Sequence, residues 1–233
     1  MSMTDPNARP DMREPDQERL RQLGMKVRSR LDANPAVQKI VDGKAEVWGV
    51  GSFFDTDECR QLISIIDSVA EPSVAYGEGA SKSVRTSWSG DVDPRDPFIR
   101  RLQRRIDKLL GINPKFGETL QGQRYRLGQE FKPHIDWFPP GSADGEIMRL
   151  SGGQRSFTTM VFLNRVEGGG ETDFPKLDIA IAPRPGTLLV WNNADIDGMP
   201  NLWTFHAGNP VTQGVKYVVT RWYRTRSWVN ENT

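Results

Sequence analysis

Two histidines and one aspartate are the residues of this chain best suited to hold a metal ion. His134 and Asp136 are separated by a single residue, and the only other histidine is His206. On an extended strand, residues i and i+2 project from the same face, so the imidazole and the carboxylate are expected to point together. Two imidazoles and one carboxylate are the ligand set of non-haem Fe(II) oxygenases. The sequence therefore predicts one metal site from His134, Asp136 and His206, with ordinary structural histidines as the alternative.

A lysine that follows His206 by ten residues could hold an anionic ligand. Lys216 opens the run Lys-Tyr-Val-Val-Thr-Arg-Trp, which ends at Trp222. Strand alternation places Lys216, Val218, Thr220 and Trp222 on one face. A buried ammonium needs a partner, and an anionic ligand would supply it. The alternative is a lysine at a strand end whose ammonium reaches water.

Helices are predicted mainly in the first half of the chain. Apolar residues at helical spacing predict one helix that includes 20–31, a second over about 57–69 and a third over about 96–110, with a short strand near 47–50. Residues 1–19 contain three prolines and many charges, which predicts a flexible leader. The third helix carries four arginines that we interpret as its solvated face rather than as a nucleic-acid patch: Arg100, Arg101, Arg104 and Arg105.

From residue 118 the composition of the sequence changes. Short segments rich in Val, Thr and aromatic residues alternate with Gly/Pro turns, which is typical of strands. The helices precede the strands instead of alternating with them, which argues against a doubly wound parallel sheet. We therefore predict a mainly β fold with supporting N-terminal helices (α+β), in the form of a double-stranded β-helix or jelly roll. The predicted strands are 119–127, 131–137, 156–163, 170–174, 178–182, 187–192, 203–207 and 215–224.

The predicted organisation is a leader at 1–19 and a single domain at 20–233. Within that domain, helical support covers about 20–115 and the catalytic jelly roll about 116–228. Three Gly/Pro/Ser/Asn-rich breaks at 76–91, 138–154 and 192–202 are expected to be either binding loops or disordered segments. The segment 76–91 is expected to act as a lid.

Composition narrows the classes of partner and compartment. The chain has 31 Lys+Arg and 30 Asp+Glu, so its net charge of +1 gives no bulk reason to expect nucleic acid or an anionic membrane. We find no apolar run near the ~18 residues of a membrane span and no secretory signal. Cys59 is the only cysteine, which excludes an intramolecular disulfide and fits the cytoplasm.

Several runs together resemble the catalytic core of the prolyl 4-hydroxylases. These are Glu118–Asp136, Gly152–Arg155, Gly168–Pro175 and the run from His206 through Gly214 to Trp222, with Arg85-Thr86-Ser87 upstream. The similarity spans about residues 45–228, in order. It leaves the leader and the first helix outside.

This resemblance implies a cofactor, a cosubstrate and a reaction. His134, Asp136 and His206 would hold Fe(II), and Lys216 would pair with the distal carboxylate of 2-oxoglutarate. Ascorbate (vitamin C) would re-reduce the iron. The expected reaction is 4-hydroxylation of a prolyl residue in a peptide or protein, as in procollagen-proline 4-dioxygenases, with release of succinate and CO2. The remaining expected site residues are Tyr125 and Thr220 near the cosubstrate, Arg155 and Trp222 in catalysis and near the peptide, and Arg85 near the peptide.

Two departures from the family pattern bear on the substrate. Phe131 stands three residues before His134, where these enzymes carry a second tyrosine, and the loop 138–154 is long. The same chemistry on a free amino acid therefore stays open as an alternative. A non-catalytic jelly roll that senses 2-oxoglutarate or metal is a second one. Nucleic-acid demethylation is disfavoured because the expected clamp is a lysine rather than arginines, and the oligomeric state is not predicted.

Overall fold

An eight-stranded antiparallel sheet separates a helical side of the molecule from the side that carries the candidate site. The computed structural model describes residues 16–41, 43–73 and 84–228. No helix in these ranges is both long enough and apolar enough to cross a bilayer. The predicted leader therefore lies largely outside the described residues, as does the first half of the predicted lid segment 76–91. The described half of that segment ends in a strand at Trp88–Asp91, so the prediction of a loop was wrong there.

Helices flank the sheet and strands dominate the second half of the described chain. The helices are α1 (Gln17–Asp32), α2 (Thr56–Val69), α3 (Pro97–Leu110) and α4 (Ala143–Leu150), with 3-10 turns at Pro114–Phe116 and Leu202–Thr204. The strands are β1 (Gln38–Val41), β2 (Val47–Val50), β3 (Glu71–Pro72), β4 (Trp88–Asp91), β5 (Gln121–Tyr125), β6 (Phe131–His134), β7 (Arg155–Phe162), β8 (Gly168–Gly169), β9 (Thr172–Phe174), β10 (Ile179–Ile181), β11 (Leu188–Asn192), β12 (His206–Gly208), β13 (Val211–Gln213) and β14 (Lys216–Arg224).

The strands form two principal sheets. The larger has the order β1-β2-β11-β7-β14-β5-β4-β3 and the smaller β10-β9-β12-β6, with β13 and β8 paired separately. The rings of Phe174 on β9 and Trp191 on β11 meet at 5.7 Å, so the small sheet packs over the large one. This arrangement, in which most of the strands follow α1, α2 and α3, confirms the predicted fold class.

Strand register divides the large sheet into two chemically distinct faces. Val219 and Tyr223 of β14 belong to the core that α1, α2 and α3 cover. Val218, which directly precedes Val219, belongs with Met160 and Trp191 to a second core on the opposite face. Burial on both sides explains why the central strands β7 and β11 consist mainly of apolar residues and threonines.

Local sequence signals explain where the helices begin and end. Asp55 and Glu58 form a reciprocal capping box at the start of α2. The Asp96 side chain accepts a hydrogen bond from Phe98 N at the start of α3, and Gly111 ends that helix with a positive φ of 66°. The predicted helices at 57–69 and 96–110 therefore agree with the structure to within one residue at each end.

Several sequence predictions of local structure were wrong. The segment 203–207 was predicted as a strand, but Asn201 caps a 3-10 turn there and the strand starts only at His206. The loop 138–154 contains the unpredicted helix α4. The Ser142 side chain caps this helix by accepting from Gly145 N. Eight residues are too few for helical periodicity to stand out in a Gly/Pro-rich stretch.

Candidate active site

The three predicted metal ligands meet between the two sheets. His134 ends β6 and faces His206, which begins β12, as direct partners in an antiparallel pair. The Nε2 atoms of His134 and His206 lie 3.9 and 3.8 Å from the Asp136 carboxylate. One ligand atom from each residue falls within 4.8 Å of the other two. Asp136 and His206 are buried, so the cluster is shielded from solvent on the protein side.

Asp136 reaches this cluster from a bend rather than from a strand. The predicted strand 131–137 ends at His134 in the structure, so strand alternation does not place the carboxylate. Thr158 on β7 instead donates a hydrogen bond of 2.7 Å to Asp136 Oδ2. Asn193 Nδ2 in turn donates to Thr158 Oγ1 at 2.9 Å. The large sheet therefore fixes a ligand that follows a strand of the small sheet.

Backbone carbonyls set the tautomer of both imidazoles. Lys132 O lies 2.9 Å from His134 Nδ1, and Thr204 O lies 2.9 Å from His206 Nδ1. A carbonyl oxygen only accepts, so each Nδ1 carries the hydrogen and each Nε2 keeps its lone pair towards Asp136. Such outer contacts are the usual way in which metal-binding histidines are oriented.

The ionisation states also suit a metal. Burial, reinforced by the neighbouring His206, lowers the pKa of His134 to about 3, so its imidazole is neutral near pH 7. Burial alone would raise the pKa of Asp136, but His206, His134 and Arg155 outweigh it, and the pKa of this carboxyl is lowered. A neutral imidazole and an ionised carboxylate with fixed lone pairs fit Fe(II) held from one side.

Lys216 closes the other end of the same cavity. The strands β5 and β14 pair so that Lys216 lies opposite Tyr125, with Lys216 Nζ at 5.1 Å from the Tyr125 ring. The lysine is 2 % exposed, and none of the described carboxylates lies within salt-bridge distance of it. Burial lowers its pKa to about 7. An anionic ligand in the cavity would supply the missing counter-charge.

Tyr125 and Thr220 line this cavity together with a residue that sequence reasoning missed. Gln123 lies between them, 3.0 Å from Thr220 Oγ1 and 2.9 Å from the Tyr125 hydroxyl. The available signal was its same-face position two residues before Tyr125 on a buried strand. A glutamine buried there needs polar partners, and polar partners are what a ligand pocket offers.

Arg155 and Trp222 lie beside the metal cluster, but they differ in exposure to the cavity. Trp222 is among the cavity-lining residues. The Arg155 guanidinium stacks 3.9 Å from the Trp222 ring and makes hydrogen bonds of 2.7 and 2.9 Å to Glu118. Its Nη1 lies 3.7 Å from Asp136. The structure therefore places Arg155 as a buried cation between two carboxylates.

Arg85 and Phe131 form the wall next to His134. The Phe131 ring stacks on the His134 ring at 3.7 Å, and the Arg85 guanidinium lies 4.9 Å from the Phe131 ring. Arg85 is buried, and its Nε donates to Ser87 Oγ at 3.0 Å. The phenyl ring of Phe131 has no hydroxyl to offer a ligand, so this wall is apolar beside the metal cluster.

Known proteins are similar to this chain in both sequence and fold. Residues 120–224 match the family model of the 2OG-Fe(II) oxygenase superfamily. Probable prolyl 4-hydroxylase 10 of Arabidopsis thaliana is 31% identical over 202 residues, which cover 76% of this chain and 68% of that protein. This chain belongs to the prolyl 4-hydroxylase family.

Two further comparisons agree with that membership. Prolyl 4-hydroxylase 2 of Arabidopsis thaliana is 28% identical over 84% of this chain and 72% of its own length. The viral collagen prolyl hydroxylase of Paramecium Bursaria Chlorella virus-1, solved as its 2OG complex, is 26% identical. That structure has a TM-score of 0.60 and covers 83% of this chain and 98% of its own. As a member of the family, the protein is an Fe(II)- and 2-oxoglutarate-dependent dioxygenase.

Proposed function

We propose that this enzyme hydroxylates prolyl residues of a peptide or protein at the 4-position, with release of succinate and CO2. The observation that carries the proposal is one cavity that holds the His134, Asp136 and His206 cluster at one end and the buried Lys216 at the other. The matched relatives carry the name prolyl 4-hydroxylase, which supports proline as the target. With 2-oxoglutarate and dioxygen, a bound Fe(II) supplies the oxidising power for insertion of oxygen into a C–H bond.

The protein's own residues position the reactants and exclude water. Lys216 would bind the distal carboxylate of the cosubstrate as a point charge. Trp191 and Trp222 line the cavity with Phe131, and their apolar surfaces keep bulk water from the reacting atoms. Thr158 and the carbonyls of Lys132 and Thr204 hold the three ligands in place during turnover.

Ascorbate is proposed as the reductant that returns the iron to Fe(II) after turnovers in which no substrate is hydroxylated. Its omission should lower the number of turnovers per enzyme without changing the initial rate. The cytoplasmic location expected from the single, buried Cys59 stays a prediction.

A peptide panel tests the substrate class directly. Succinate release is measured with Fe(II), 2-oxoglutarate and ascorbate, in the presence of proline-containing peptides, matched peptides with alanine at each proline, and free amino acids. The proposal predicts that only proline-containing peptides stimulate succinate release, and that His206→Ala abolishes it. Stimulation by a free amino acid alone would favour the small-molecule alternative, and ligand binding without any turnover would indicate a sensor.

A further inference from the structure

A chain of side-chain hydrogen bonds leads from Arg85 into the cosubstrate cavity. Arg85 Nη2 donates to Gln121 Oε1 at 3.1 Å. A guanidinium has donors only, so this contact fixes Gln121 Oε1 as the acceptor end of its carboxamide. The next polar atom is Gln123 Nε2, at 3.5 Å from the same oxygen. The reverse orientation of Gln123 would bring two carbonyl oxygens together, so Arg85 also determines which way Gln123 faces.

The orientation of Gln123 sets the direction of two further hydrogen bonds. Its Nε2 donates to Thr220 Oγ1 at 3.0 Å. Its Oε1 accepts at 2.9 Å, and the Tyr125 hydroxyl supplies the proton. The one hydroxyl hydrogen of Tyr125 is therefore already donated to Gln123 and is not available to a ligand. The Thr220 oxygen receives a proton from Gln123, and within the described residues the hydroxyl has no acceptor for its own hydrogen.

We infer that Gln123 is a positioning residue that makes Thr220, and not Tyr125, the hydroxyl donor to bound 2-oxoglutarate. Tyr125 and Thr220 both line the cavity, so their position alone does not distinguish them. The donor-to-acceptor direction of the hydrogen bonds that start at Arg85 does distinguish them. This inference rests on the proposed cosubstrate but not on the proposed prolyl substrate.

The geometry of β14 indicates which end of the ligand each residue serves. Thr220 lies four residues beyond Lys216, about 13 Å along the strand at ~3.3 Å per residue. Two residues further, Trp222 pairs with Thr158, whose hydroxyl bonds Asp136. Thr220 therefore faces the 2-oxo-acid end near the metal cluster, and Lys216 faces the distal carboxylate. Burial raises the pKa of Tyr125 and outweighs the opposite effect of Arg85 and Ser87. The Tyr125 hydroxyl therefore stays protonated and donates its hydrogen bond to Gln123 Oε1.

Binding of 2-oxoglutarate to Fe(II)-loaded protein, titrated calorimetrically without dioxygen, tests the inference. Thr220→Val should weaken binding by about ten- to a hundredfold, the effect of one lost hydrogen bond to a charged group, and Thr220→Ser should restore it to within about threefold. Tyr125→Phe should cost less than about threefold. In a Gln123→Leu background the tyrosine proton is free, and the same Tyr125→Phe change should now cost about tenfold.

Gln103→Leu is the matched control, because it removes another buried glutamine on the helical side of the sheet and should leave 2-oxoglutarate affinity unchanged. Metal affinity measured on each variant shows whether the iron site is intact. A tenfold loss for Tyr125→Phe in the wild-type background, or no loss for Thr220→Val, would overturn the inference. Wild-type protein that binds no 2-oxoglutarate at all would overturn the cosubstrate assignment, and a failure of prolyl hydroxylation alone would leave these affinities unchanged.

Discussion

At the scale of single residues, Lys216 is the side chain whose environment most clearly indicates that it binds a ligand. It is buried against the Tyr125 and Phe162 rings, and among the described residues Glu171 is the only charge that raises its pKa. The net effect of burial is a pKa of about 7. The free protein therefore holds a lysine that is only partly protonated near neutral pH, and a bound carboxylate would favour its charged form.

This shift predicts a pH dependence of cosubstrate binding. Above pH 7 the free lysine loses its proton, because its pKa is about 7, whereas the complex keeps it. Binding there takes up a proton, so the dissociation constant of 2-oxoglutarate should rise with pH, by up to about tenfold per pH unit. Anaerobic calorimetry in buffers of different ionisation enthalpy measures both quantities. Lys216→Arg stays charged and should lack this slope; a wild-type affinity that is flat or improves above pH 7 would refute the assignment.

A second prediction concerns the hydroxyl that holds Asp136. Thr158→Val keeps the side-chain shape but removes the 2.7 Å hydrogen bond to Asp136 Oδ2, and should lower Fe(II) affinity by about ten- to a hundredfold. The neighbouring Thr159 donates to Arg221 O instead, so Thr159→Val should cost about 1 kcal/mol of stability and leave metal affinity intact. Equal metal affinities of the two variants would show that Thr158 does not position the carboxylate.

The sequence was sufficient for the ligand types but not for the residues that orient them. His134, Asp136 and His206 could be predicted because the chain has only two histidines and one of them is followed closely by an aspartate. Thr158 and Gln123 act across strands, and which residues face each other depends on the register of pairing. A register cannot be deduced from one strand alone, because a slip by one residue reverses its faces.

At the scale of elements, α3 is attached to the large sheet by a buried polar cluster. Asp107 accepts a hydrogen bond of 2.7 Å from the Tyr223 hydroxyl, and its Oδ1 lies 2.9 Å from Arg221 Nη1. Both partners lie on β14. The same strand begins at Lys216 and carries Thr220, and both of these residues line the cavity. The helix thus braces the strand that lines the cavity.

Removal of the Asp107 carboxylate should be strongly destabilising. Asp107→Ala leaves Arg221 as a buried charge without its carboxylate, and breaking such a pair costs about 3–5 kcal/mol. Urea denaturation measures the loss in the free energy of unfolding. Asp57→Ala on α2 is the control: its exposed pair with Arg60 contributes at most about 1 kcal/mol. A loss below about 1 kcal/mol for Asp107→Ala would contradict this description of the helix–sheet contact.

The basic residues of the helices have local structural explanations. A groove of about 830 Å³ lies at the carboxyl ends of α1 and α3, with four cations in its walls: Lys26, Arg30, Arg105 and Lys108. Arg30 donates to the carbonyls of Lys108 and Leu109 at the end of α3, where helix dipoles favour positive charge. Arg105 pairs with Glu58, and Arg100, Arg101 and Arg104 are exposed, so the interpretation of a solvated face agrees with the structure.

At the scale of the whole molecule, one face of the large sheet packs against the helices and the other lines the candidate active site. The helix-covered face is mainly apolar, with Trp48, Phe157 and Leu62 fully buried, apart from the polar cluster around Asp107. The other face carries the polar cavity residues, and the small sheet brings two metal ligands against it. The order of predicted elements indicated this division, because helices that precede a run of strands must cover one face of the resulting sheet.

The path of the small sheet could not be predicted in the same detail. Its strands are three or four residues long and are separated by turns. Segments this short give little alternation, so the predicted strands 131–137 and 203–207 were misplaced at their ends. Their pairing through His206 and His134 is a long-range contact that only the folded chain reveals.

Transfer of labelled oxygen to a peptide tests the central claim most directly. The enzyme is incubated with Fe(II), 2-oxoglutarate, a proline-containing peptide that stimulates succinate release and isotopically labelled dioxygen, and the products are analysed by fragment mass spectrometry. We expect one labelled oxygen on a prolyl residue and one in succinate, with at least as much labelled succinate as labelled peptide, and neither product with His206→Ala. Succinate formed without any labelled peptide, or label on a residue other than proline, would contradict prolyl hydroxylation at this site.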